Sequence, residues 1–117
     1  MAQGALVFRW GASVRGREHT ALRIFGETAA FFDDLQSNHR IAAHQPYVSM
    51  NRDGGMWVLQ GDTQQLAALR EHADWQRMVL RVRQVVESYA LEMYLGGTVL
   101  DLEDPMLIAA EVVDEMI

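Results

Sequence analysis

Hydrophobic residues along this chain switch between a period of two and a period of three to four, and the switches divide it into strands and helices. Residues 5–10, ALVFRW, alternate. Leu6, Phe8 and Trp10 point one way and Val7 and Arg9 the other, so a strand is expected. From about residue 17 to residue 38 the spacing becomes helical. Leu22, Phe25, Ala29, Phe32 and Gln36 form one stripe with Leu35 beside it, and Ile24 and Phe31 form a partial second. A helix with more than one apolar face touches more than one neighbour. Gly26 in its middle costs up to about 1 kcal/mol against alanine, and a close packing contact is one reason to keep it.

Residues 41–50 read as extended, and Pro46, which has no N–H for a ladder, places them at an edge or a bulge. Asp53-Gly54 signals a hairpin, because both residues tolerate positive φ. Residues 56–60, MWVLQ, are the returning strand. Asp62 is a good N-cap, with Gln65 at capping-box spacing. Leu66 and Leu69 begin a buried helical face. Asp74 can cap a second segment, in which Trp75, Met78, Val79, Val82 and Val86 continue the stripe. Residues 88–95, SYALEMYL, are the last strand. Leu91, Met93 and Leu95 share one face, and Ala90, Glu92 and Tyr94 share the other. Gly96-Gly97 ends it. NRDGGMWVLQGD, residues 51–62, thus reads as turn, strand and cap, a stretch of architecture.

The order strand, helix, strand, strand, helix, strand is the ferredoxin-like βαββαβ unit. The expected fold is therefore α+β over residues 1–97. It has a four-stranded antiparallel sheet with helices on one face. Residues 98–117 form an extension. Asp104-Pro105 marks a helix start there. Met106, Ala109, Ala110, Val113 and Ile117 line one side of that helix, and Leu107, Ile108 and Val112 widen it. So apolar a helix is expected to dock, on its own domain or on a second subunit.

Composition narrows the function classes. A chain of 117 residues fits one domain and can bury enough surface to fold without a metal or a disulfide. It has no cysteine, which excludes thiol nucleophiles, thiolate metal sites and disulfides. Its ten basic residues are all arginine, so lysine Schiff-base chemistry is excluded. A net charge of −6 with scattered arginines makes nucleic acid an unsuitable partner. The N-terminal residues lack the pattern of a signal peptide, and no apolar run reaches the length of a membrane span, so a soluble cytoplasmic protein is expected.

A sheet covered on one side has another face to account for. Here it holds Val7, Arg9, part of residues 44–50, Met56 or Trp57, and Ala90, Glu92 and Tyr94. Two such faces packed together would bury this mixed surface, so a homodimer through the open sheet face and the C-terminal helix is expected. The βαββαβ order with a half-apolar open face resembles the dimeric α+β barrel superfamily, which includes the antibiotic-biosynthesis monooxygenases. Residues 61–97 are also similar to a segment of small uncharacterised bacterial proteins of that superfamily. Gly61-Asp62, Leu66, Leu69-Arg70, Trp75-Gln76-Arg77 and Glu87 carry the likeness. The haem-degrading branch relies on an Asn, Trp and His set that is not placed in this sequence, so no cofactor is carried over.

Candidate chemistry is sparse. No histidine pair has the spacing of a helical zinc site, and no metal site is expected. His19, His39 and His72 fall near helix ends or turns. His44 sits within a strand, where on the open face it would meet Arg9, Tyr47, Glu92 or Tyr94 and could act as a general base. Arg9 and Glu92 are read as non-adjacent, since they lie on the first and last strands. They pair across a dimer, or Arg9 binds a substrate carboxylate. Asp33-Asp34 reads as a solvated face. The catalytic candidates are His44 and Arg9, and the ligand-binding candidates are Tyr47, Trp57, Glu92 and Tyr94. Three functions fit: a dimeric module enclosing a small apolar ligand between sheet and helices; a cofactor-independent monooxygenase- or isomerase-like enzyme; and an interaction protein using its C-terminal helix.

Overall fold

The computed structural model describes residues 3–97 and 99–116. Its elements run β1 (Gln3–Trp10), α1 (Glu18–Ser37), β2 (Ala43–Val48), β3 (Gly55–Asp62), α2 (Thr63–Leu69), α3 (Ala73–Arg83), β4 (Tyr89–Leu95) and α4 (Val99–Met116). The fold is ferredoxin-like α+β. All strand pairs are antiparallel, in the order β2-β3-β1-β4. Pro46 lies on the edge strand β2, as its missing N–H demands. Asp62 caps α2, its carboxylate accepting the Gln65 amide N–H.

The strand order corrects one reading. β1 and β4 are neighbours, with Val7 opposite Glu92 and Arg9 opposite Ala90. Arg9 and Glu92 are therefore diagonal partners on one face of one subunit. In βαββαβ the two outer elements of the chain pair because each crossover skips a strand position.

Alternation along β1 sorts the side chains. Leu6, Phe8 and Trp10 face the helices, and Leu6 and Phe8 are fully buried. α1 answers them with Ala21, Ile24, Thr28, Phe32 and Leu35. This face is rotated from the predicted one: Leu22 is 73% exposed, while Ala21 and Ile24 are buried. Thr28 is tolerated inside because its hydroxyl donates to the Ile24 carbonyl at 2.8 Å. Gly26 has open space where a Cβ would be, so no close packing explains it.

The hairpin differs in detail from the expected two-residue turn. Residues 49–54 form its loop, and Gly54 has φ +97° while Asp53 does not enter the left-handed region. A Cβ at Gly54 would collide with the Trp10 carbonyl oxygen, so glycine is required for space as well as conformation.

The tail departs further. α4 starts at Val99, ahead of the predicted Asp104-Pro105 start. It does not dock on its own domain. Met106, Leu107, Ile108, Val112, Val113 and Met116 are 48–82% exposed. Ile117, part of the predicted face, lies outside the described residues. The radius of gyration is 16.4 Å, where a compact chain of this length has about 13 Å, because α4 projects.

Tyr89 on β4 presents its ring to Phe8, with centroids 5.7 Å apart. Its hydroxyl is buried with no hydrogen-bond partner among the described residues. Burial pushes its phenol up to about 12.

Two stability measurements check these points. Gly26→Ala is expected to raise the unfolding free energy by about 0.5–1 kcal/mol in urea titration. Between pH 10 and 12 the unfolded chain has lost the Tyr89 proton and the folded chain retains it. Stability should therefore fall as pH rises through that window, and Tyr89→Phe should remove that part of the fall.

Candidate functional site

The sheet separates the predicted site residues into two groups. Arg9, Tyr47, Glu92 and Tyr94 share the open face: Tyr47 pairs with Met56, and Val7 and Arg9 stand beside Glu92 and Tyr94. His44 and Trp57 share the helix-covered face, since His44 pairs with Leu59 and Pro46 with Trp57. The expectation that His44 meets Arg9, Tyr47, Glu92 or Tyr94 is corrected by this parity. Trp57 likewise leaves the open face, where Met56 takes its place. A strand's side-chain period is two, so one step of register moves every residue to the other side.

On the open face the Tyr94 hydroxyl donates to Glu92 Oε2 at 2.5 Å and accepts from Arg9 Nη1 at 3.5 Å. Arg9 Nη1 also lies 3.9 Å from Glu92 Oε1. Tyr94 first, then Glu92, hold the guanidinium above its ordinary pKa. Arg9 thus meets Tyr94 and Glu92 within its own subunit. A concavity of about 520 Å³ adjoins it, reaching Tyr47, Arg52, Met56 and Ser88.

On the covered face His44 is held from both sides. The Trp57 indole N–H donates to His44 Nδ1 at 3.0 Å, and His44 Nε2 lies 2.7 Å from Asp33 Oδ1. Nδ1 accepts, so it carries a lone pair, and Nε2 carries the proton that Asp33 accepts. The imidazole also meets the Phe32 ring edge-on, with centroids 5.6 Å apart. Asp33, read from sequence as solvated, is the one member of its acidic pair that reaches a functional partner. It became a candidate only when α1 crossed β2, so no local signal could have found it.

Trp57 does more than meet His44. With Trp10 and Phe25 it walls a half-open apolar cavity of about 360 Å³ between α1 and the sheet, lined further by Ala21 and Pro46, with the exposed Leu22 and Val48 at its mouth. The Phe25 and Trp57 rings are nearly parallel, 10° apart, with centroids at 6.5 Å. Trp10 leans on Phe25 at 4.9 Å. Ser13 supplies a hydroxyl at the wall. Sequence reading missed Trp10 and Phe25 as cavity residues because both looked like ordinary core. Their signal was aromatic size at the end of a strand and on the facing helix. Among the described residues there is no group of His, Asp and Glu arranged to hold a metal ion. No helix among them is long and apolar enough to cross a membrane.

No protein-family model and no curated protein matches the chain. Solved structures do. The chain is similar to SnoaB, a cofactor-independent oxygenase from Streptomyces nogalater, with a TM-score of 0.64 and 14% identity over 86% of this chain and 98% of that one. A dimeric ferredoxin-like protein of unknown function from Bacteroides fragilis superposes with a TM-score of 0.63, at 10% identity over 80% of this chain and 96% of that one. Another, from Jannaschia, gives 0.60 and 12%, over 81% and 99%. The chain shares the ferredoxin-like fold of these proteins. Within that fold the expected four-stranded unit is present.

The hydrogen bond between Trp57 and His44 sets an expected cost. His44→Ala leaves a buried indole N–H unpaired and should lower the unfolding free energy by about 1–3 kcal/mol. In a Trp57→Phe background that cost should shrink by about 1 kcal/mol, measured as a double-mutant cycle in urea. An equal cost in both backgrounds would remove the bond from the account.

Proposed function

We propose that this protein is a homodimeric α+β barrel module that binds a small, flat, apolar ligand in the cavity between α1 and the sheet. One observation carries the reading: the cavity walled by Trp10, Phe25 and Trp57. Its volume, about 360 Å³, falls within the range of small-molecule sites. The aromatic rings that line it offer an apolar surface against which a flat ring can lie. The single hydroxyl, Ser13, gives one polar anchor.

In this reading Trp57 touches the ligand and His44 is a positioning residue that fixes the indole plane. Arg9, Tyr47, Glu92 and Tyr94 belong to the dimer contact through the open face. Support for that contact comes from Met56, Val58 and Ala90, which lie beside them on the face opposite Leu6 and Phe8. The Bacteroides and Jannaschia proteins of the same fold are dimeric.

The enzyme alternative draws on the similarity to SnoaB, which is one of fold. It has lost its proposed base. His44 Nδ1 is occupied by the Trp57 N–H and Nε2 is turned to Asp33, so neither nitrogen is free to take a proton from a ligand in the cavity. Arg9 lies on the opposite side of the sheet from that cavity.

The test uses 2-naphthol as probe, titrated by calorimetry. Binding is expected with a Kd between about 10 μM and 1 mM, given the atom count. Leu22→Tyr places a ring at the cavity mouth, where Leu22 is exposed and the fold tolerates change. It should weaken binding by about tenfold and leave the melting temperature unchanged. No binding by the parent protein, or equal binding by the variant, would refute the cavity as the site.

A further inference from the structure

We propose that α4 of one subunit lies in the groove between α3 and β4 of a second copy of this chain. This deepens the homodimer reading above and rests on it. The groove is about 370 Å³, floored by Trp75, Val79, Tyr89 and Leu91, with Leu80 exposed at its edge. A helix with Met106, Leu107, Ile108, Val112 and Val113 exposed has the apolar side chains to fill it.

Charge selects the occupant. α4 carries Glu103, Asp104, Glu111, Asp114 and Glu115 and no arginine. Arg70 lines the groove, and the charges of Arg70 and Arg83 both reach Tyr89. Neither arginine has an ion-pair partner among the described residues, whereas Arg77 is paired with Asp74 and Arg81 with Glu27. An acidic helix therefore meets the two cations of this region that are still free.

Length also fits. The 18 residues of α4 span about 27 Å. The 11 residues of α3 span about 16 Å, so α4 covers the groove end to end. In its own chain α4 leaves its apolar side chains in water, which makes a second copy the occupant.

The chain has no cysteine, so introduced thiols report without background. Leu80→Cys and Val112→Cys in one full-length chain, treated with a flexible bis-maleimide, should yield a covalent dimer on a denaturing gel. Adding Arg70→Glu and Arg83→Glu should cut that yield by about fivefold. A product linked within one chain would place α4 in its own groove and overturn the proposal. So would the absence of any link, or a yield that ignores the charge reversals. Sedimentation of the unmodified chain separates the two readings. A dimer that does not link removes only the docking of α4, and a monomer removes the homodimer as well.

Discussion

The contact on which the rest of this structure depends is the aromatic cluster around Phe8. Its ring lies 5.7 Å from Trp10, 5.8 Å from Phe32, 5.9 Å from Trp57 and 5.7 Å from Tyr89 between centroids. These four residues come from the same central strand, the long helix and both flanking strands. One buried side chain therefore ties three strands to α1. Rings of this size bury more area than any aliphatic choice and favour tilted and edge contacts over a face-to-face sandwich. The strand alternation that turns Phe8 inward also turns Val7 and Arg9 outward, so the core and the open face are set by one choice of register.

The cavity is a by-product of how that cluster ends. Trp10, Phe25 and Trp57 continue the aromatic layer toward the end of the sheet, but Leu22 and Val48 diverge and stay exposed. Large flat rings meeting at fixed angles leave space that smaller side chains do not fill. The polar line Asp33, His44, Trp57 supports the wall from behind. It resolves the one buried N–H that so large an aromatic brings into the interior. Chemistry on the two sides of the sheet is thereby separated: an apolar, stacked environment beneath the helix and a tyrosine-carboxylate-guanidinium network on the open face.

The tail follows a different logic. Among the described residues every buried hydrophobic side chain lies between Leu6 and Val86, so the core they form is built without α4. An acidic helix with six exposed apolar side chains contributes nothing to that core. Its surface makes sense as half of an interface, and the groove beside α3 has the matching apolar floor and cations.

By itself the sequence determined the elements, their order and the sidedness of β1 and β4, while that of β2 and β3 stayed open. Periods of two and of three to four are local, so β1, β3, β4, α1 and α3 were legible from spacing alone, as were the Asp62 cap and the edge position of Pro46. Which strands neighbour one another is not local. Tertiary structure decided that Arg9 reaches Glu92 and Tyr94 within one subunit, and that His44 faces Phe32 and Trp57. It also decided that Asp33 has a partner and that Gly26 does not have a close neighbour. The reason is geometric. Side-chain direction repeats along a single element, whereas the pairing of residues far apart in the chain depends on how strands register and helices cross, which no short stretch encodes.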